Sequence, residues 1–143
     1  MLKDILEKYK PYKTGDRMQD FLIDERTSFH RMVGDGIIVL TISTKCAACL
    51  ETLNDLQEVD VSKKGLVVFI ECDDQEYPTI HSVLSEKFNL IRIDHAFLKK
   101  NLKTPGVPWI YRIDEQLQII LNRNYRTKDD LDIRNKVDIY EHD

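Results

Sequence analysis

Cys46 and Cys49 have the type and spacing that most directly suggest chemistry in this chain. The spacing in Cys46-Ala47-Ala48-Cys49 lets a small ring close, so the pair can open and close a disulfide. The motif follows directly on Ile37-Ile38-Val39-Leu40-Thr41-Ile42-Ser43, a continuous β-branched run with the pattern of a central strand buried on both faces. After it, Cys49 or Leu50, then Leu53, Leu56 and Gln57, fit a helix laid on the sheet. A helix N-terminus has unpartnered amides and a partial positive charge, and it favours a thiolate at Cys46. Lys45 adds a neighbouring cation. Cys49, one turn on, is positioned to attack a mixed disulfide at Cys46.

Val107-Pro108 is the second signal. A proline that opens a strand far downstream of the cysteines leaves the Val107 backbone free to pair with an extended client segment if the bond is cis. The alternative is a plain loop proline. Trp109 lies either beside that groove or, more ordinarily, in the core at a strand start. Cys72 ends a second buried run, Leu66-Val67-Val68-Phe69-Ile70, and is either a third redox partner or a buried thiol. A zinc site needs four ligands. Cys72, His30, His81, His95 and His142 supply no second short-spaced pair, so no metal is assigned.

The elements that must hold these residues follow from periodicity. Leu2, Ile5, Leu6 and Tyr9 open the chain with a short amphipathic helix, ended by Pro11 and Gly15. Phe21-Leu22-Ile23 and Phe29 to Val33 read as a short strand and its return, around Asp24-Glu25-Arg26. A helix runs from Pro78 to Phe88, Leu90 to Ile93 is extended, and His95 to Leu102 is a short helix. Trp109 to Ile113 and Leu117 to Leu121 form a hairpin around Asp114-Glu115-Gln116. A last helix starts near Thr127, with Asp130 completing a capping box and Ile133, Val137 and Tyr140 as its stripe. This order describes one α/β domain over residues 1–143, its early strands parallel and its hairpin antiparallel.

Composition narrows the classes. With 42% hydrophobic and 32% charged residues, the 143-residue chain can bury a real core. Its formal charge of -4, spread along the chain, gives no basic stripe for nucleic acid and no polybasic helix for a membrane. The longest uncharged apolar run, Ile37 to Ser43, is too short to span a bilayer. The segment Met1-Leu2-Lys3-Asp4 lacks a signal-peptide layout, and the cysteines are few and odd in number, so the expected location is cytoplasmic.

On these residues the sequence resembles the thioredoxin superfamily, in its TlpA/ResA-like, peroxiredoxin-related branch. The likeness runs from about Gly15 to Leu121. Gly15 to Asp24 is similar to that branch's extra N-terminal hairpin, and Ile37 to Cys49 to its strand-CxxC-helix. Val107-Pro108 with Trp109 to Asp114 is similar to its cis-proline strand. The resemblance implies a thioredoxin-like sandwich, a central mixed β-sheet flanked by helices with an extra N-terminal segment. It implies dithiol–disulfide exchange, with Cys46 attacking, Cys49 resolving and Pro108 as the cis-proline. No cofactor is implied beyond the Cys46–Cys49 disulfide. The partners implied are a disulfide-containing protein or peptide client and an electron donor.

The departures from that pattern are specific. Lys45 stands where a Trp is usual, and Ala47-Ala48 fills the dipeptide. Leu40 replaces a buried acid, and Asn54 is near the usual helix-kinking proline. Glu51, Glu71 and Asp73 are the candidate proton acceptors for Cys49. Two alternatives stay open: a thioredoxin-fold binding module with an incidental dithiol, and a thiol-based metal or redox sensor.

Overall fold

The computed structural model describes residues 1–8, 10–59 and 65–132. The proposed stripe Ile133, Val137 and Tyr140, and Tyr9 of the first helix, lie outside the described residues. Five strands form one mixed sheet in the order β3-β2-β1-β4-β5. They are β1 (Gly36–Ser43), β2 (Leu66–Glu71), β3 (Asn89–Ile93), β4 (Trp109–Asp114) and β5 (Ile119–Asn124). The first three pair in parallel, and β4 and β5 add antiparallel partners.

Period-two alternation divides the core into two layers. Val39, Val67, Phe69, Tyr111 and Ile113 face one side, where Tyr12, Met18, Phe29, Val33, Leu98 and Leu102 cover them. Ile38, Leu40, Ile42, Val68, Ile70 and Ile110 face the other side, under Cys49, Leu56, Leu84, Phe88, Tyr125 and Leu131. Seven of the eight β1 residues are buried, which explains why this strand carries no polar alternation. Gly36 starts it at φ 124, with the Ile113 carbonyl 3.2 Å from where a Cβ would stand. Only glycine suits both the angle and the approach.

The helices are α1 (Leu2–Lys8), α2 (Phe29–Val33), α3 (Ala47–Glu58), α4 (Tyr77–Leu84) and α5 (His95–Phe97), the last continuing into a π-helical turn over Leu98–Leu102. Several expectations are corrected. Phe29 to Val33 is a helical turn, not a returning strand. Phe29 and Val33 are buried while Arg31 between them is exposed; a strand would put all three on one face, and a helical turn does not. Phe21 to Ile23 contributes a single bridge, Leu22 to Ser28, and Phe21 stacks on Phe29 at 4.8 Å instead. The extra N-terminal hairpin is thus reduced to two isolated bridges, Leu22 to Ser28 and Arg17 to Gln118, and a turn. Helix α4 stops at Leu84, and the turn after it delivers Phe88 to the core. Strand β5 starts later than Leu117, because Asp114 Oδ1 accepts the Gln116 and Gln118 amides and holds Leu117 in the turn at φ 69. Past β5, Thr127 opens a 3-10 turn, Lys128–Leu131, whose Asp130 accepts the Thr127 N–H at 3.3 Å.

Candidate active site

Strand β1 ends at Ser43, and three residues later Cys46 takes the N-cap position of α3 with extended dihedrals, φ -112 and ψ 122. Local bonds fix this turn. The Cys46 N–H donates to the Ser43 carbonyl at 3.2 Å, and the Lys45 N–H donates to Ser43 Oγ at 3.2 Å. Thr44 Oγ1 donates to Glu76 Oε1 at 2.8 Å, and the Asp73 N–H donates to the same oxygen at 3.1 Å, tying this turn to the start of α4. The Cys49 N–H then reaches back to Cys46 Sγ at 3.3 Å. Sulfur therefore serves where an N-cap oxygen normally accepts, sharing the Cys49 N–H with the Cys46 carbonyl, which accepts it at 3.1 Å.

The helix turns Cys49, Thr52 and Leu56 inward, three and seven positions apart, with Leu53 half-buried. Of the two alternatives for its first inward position, Cys49 is taken and Leu50 is left 55% exposed. Cys46 is half-buried and accessible, whereas Cys49 has no exposed surface. Burial, and a bond to Cys46, push the Cys49 thiol up to about 12. The two thiols are free.

The third side of Cys46 comes from the opposite end of the chain. The β1–β4 register pairs Thr41 with Trp109, so the chain just before β4 runs beside the exit of β1. The Val107–Pro108 peptide bond is cis. Cys46 Sγ lies 3.6 Å from the Val107 carbonyl oxygen and donates to it. No group among the described residues accepts from the Val107 N–H. The Pro108 carbonyl accepts from the Tyr125 N–H at 3.1 Å and from Asn124 Nδ2 at 3.3 Å. The Tyr125 hydroxyl donates to Asp55 Oδ2 of α3 at 2.7 Å, so one residue joins the proline loop to the cysteine helix.

The other expected site residues fall as follows. Trp109 is half-buried against the first core layer, and its Nε1–H donates to Asn122 Oδ1 at 2.7 Å. No hydrogen bond brings it to the dithiol. Lys45 is exposed and lines an open cleft of ≈ 530 Å³ with Glu71, Cys72, Arg92 and Asp94, at the C-terminal ends of β2 and β3. Cys72 is buried, and that burial raises its thiol. Glu71 accepts from Ser43 Oγ at 3.0 Å, and alternation along β2 puts it on the sheet face opposite Cys49. Glu51 and Asp73 are exposed. None of the three candidate acids bonds to Cys49. Sequence reasoning missed Tyr125, Asn122 and Glu76, whose partners are 70, 110 and 32 residues away. Among the described residues no three His, Cys, Asp or Glu side chains converge as a metal-binding group, and no helix is long and apolar enough to cross a membrane.

No family model matches the sequence, and no curated protein matches it. Solved structures do match the fold. A thiol:disulfide interchange protein from Bacteroides sp. aligns with a TM-score of 0.60 at 18% identity, over 83% of this chain and 85% of that one. The thioredoxin domain of a thiol-disulfide oxidoreductase from Bacteroides vulgatus aligns with a TM-score of 0.62 at 18% identity, over 90% and 98%. An exposed lipoprotein thioredoxin from Streptococcus pneumoniae aligns with a TM-score of 0.56 at 15% identity, over 79% and 95%. The mixed sheet, the strand–CxxC–helix junction and these likenesses agree: the chain has the thioredoxin-like fold, and the TlpA/ResA-like resemblance of its sequence fits it.

Proposed function

We propose that the protein is a thiol–disulfide oxidoreductase acting on a disulfide in a protein or peptide client. The observation that carries this is the setting of Cys46 Sγ, between the Cys49 N–H at 3.3 Å and the Val107 carbonyl at 3.6 Å, at an accessible helix N-terminus. The Cys46 thiolate attacks one sulfur of the client disulfide. A Cys46–client bond forms, and the first client thiolate leaves. The Cys49 thiolate, having lost its proton to solvent or to the leaving thiolate, then attacks Cys46 Sγ. The Cys46–Cys49 disulfide forms, and the second client thiol is released. Two electrons pass from the protein dithiol to the client, and an external dithiol donor restores them. The same steps reversed oxidise a client.

The unpartnered Val107 N–H offers a hydrogen bond to an extended client strand, next to Pro108. Trp109 holds this loop from the core, and Lys45 flanks the client on the other side. A cytoplasmic setting, proposed on the same footing, favours the reductive direction.

A second reading is favoured by one feature. Cys49 is fully buried, its thiol is raised, and no acid bonds to it. That suits a binding module whose dithiol turns over little.

Cys46→Ser and Cys49→Ser variants, offered a disulfide-bridged peptide and followed by mass spectrometry, separate these readings. Cys46→Ser should abolish thiol release, and Cys49→Ser should accumulate the mixed disulfide. Full turnover in Cys46→Ser overturns the proposal. A reduction potential near about -270 mV marks a reductase, and one near about -120 mV marks an oxidant.

A further inference from the structure

We propose that a basic groove beside the proline loop receives an acidic segment of the client. The identity of the partner rests on the oxidoreductase reading; the groove itself does not. The chain carries 25 acidic and 21 basic residues, a net -4. Against that background, a groove of ≈ 380 Å³ brings together Lys10, Lys13, Arg17 and Lys103 with a single carboxylate, Asp16. Asp16 Oδ2 is occupied by the Lys13 backbone N–H at 2.8 Å. None of the four cations forms an ion pair with a described carboxylate. The local sign of charge is thus opposite to that of the whole molecule. An acidic ligand is repelled in general and drawn in here.

The floor of the groove is built. Tyr12 is 8% exposed, and its ring meets Tyr111 edge-on at 6.1 Å. The Tyr12 hydroxyl accepts the Gln19 N–H at 3.1 Å. Lys103 Nζ stands 5.1 Å over the same ring and 3.5 Å from Gln19 Oε1. This holds its ammonium at the groove wall with three hydrogens and no anion to meet them all.

The groove is tied by hydrogen bonds to Trp109, the residue that follows Pro108. The Tyr12 carbonyl accepts from Asn122 Nδ2 at 2.8 Å, and Asn122 Oδ1 accepts from Trp109. Lys103 precedes Val107 by four residues, so at most roughly 14 Å of extended chain separates them. A client strand pairing with Val107 spans that distance in about four residues. Acidic residues about four positions from the client cysteine would therefore reach the cations.

The test uses two cysteine-free labelled peptides, one with four Glu and one with four Gln at the same positions, followed by fluorescence anisotropy on the full chain. The Glu peptide should bind about tenfold tighter at low salt, and the preference should fade at high salt. The exposed pair Lys13→Glu with Arg17→Glu should remove it. Lys99→Glu with Lys100→Glu, exposed lysines outside this groove, should keep most of it. Equal binding of the two peptides overturns the proposal, as does equal loss in both variants, which would make the effect one of overall charge. Reduction of hydroxyethyl disulfide, a small neutral substrate, is measured in parallel. Turnover without an acidic preference removes the groove and leaves the oxidoreductase reading. An acidic preference without turnover leaves the groove as a binding surface and removes the enzyme.

Discussion

Cys46 Sγ lies 3.6 Å from the carbonyl oxygen of Val107, a residue 61 positions further along the chain. The contact follows from strand order. Because β4 runs antiparallel to β1 with Trp109 opposite Thr41, the segment entering β4 passes the point where β1 gives way to α3. Strand β2 fills the other side of β1, so the dithiol has one backbone edge beside it and one cleft, lined by Lys45, across from it.

The buried thiol of Cys49 gives a pH signature. Burial, with a smaller part from the Cys46 bond, raises it from 9.0 to about 12. In the mixed disulfide the Cys46 part is lost and the burial part stays. The rate of resolution, read by quenching a preformed mixed disulfide, should therefore rise about tenfold per pH unit and keep rising past pH 9.0. A plateau near pH 8 would mean that an acceptor or an opening motion lowers the barrier. Stability carries the matching sign. The unfolded thiol loses its proton first, so folding is weakened as pH climbs from about 9 toward about 12.

Tyr125→Phe should cost about 1.5 kcal/mol in urea unfolding. The ring keeps its place in the core, and only the bond to the half-buried Asp55 carboxylate is lost. The same variant should slow Cys46-dependent exchange, because the brace between the proline loop and α3 is cut. Unchanged stability would mean that water replaces the hydroxyl without cost.

Asp130 is the most enclosed carboxylate among the ion pairs of the described residues, its side chain 7% exposed. Burial works against its charge. Paired bonds from Arg123 at 2.6 and 3.1 Å, with the Arg126 N–H at 2.7 Å, outweigh that and hold it below 3.8. A carboxylate lowered on folding stabilises the fold above its unfolded value and stops doing so as pH falls through the folded one. Asp130→Asn should lose about 2 kcal/mol at pH 7, and much less at pH 2. Urea titrations at the two pH values check this; a pH-independent loss would assign the effect to packing alone.

Much of this organisation is legible in local chemistry. A β-branched run ending in Cys-Ala-Ala-Cys, with Leu53 and Leu56 beyond it, specifies a buried strand feeding a helix, because side-chain period and strand propensity act within a few residues. The Leu66 to Ile70 run and the 109–113 strand are legible for the same reason. Phe29 to Val33 is not, because five residues with two core anchors suit either period, and the packing of Phe29 against Phe21 decided for helix. Leu117 reads as strand until Asp114 captures the turn amides.

The sequence by itself determined the dithiol, its strand–helix junction and the mixed sheet. Which wall faces Cys46, which acid stands on which side of the sheet, and which cations gather around Tyr12 were decided only by tertiary structure. Glu71 is removed from Cys49 by one step of strand alternation, and Lys10 and Lys103, which line one groove, are far apart in the sequence. Such relations depend on strand order and register, which arise from burying two apolar faces at once and leave no local mark on the residues they bring together.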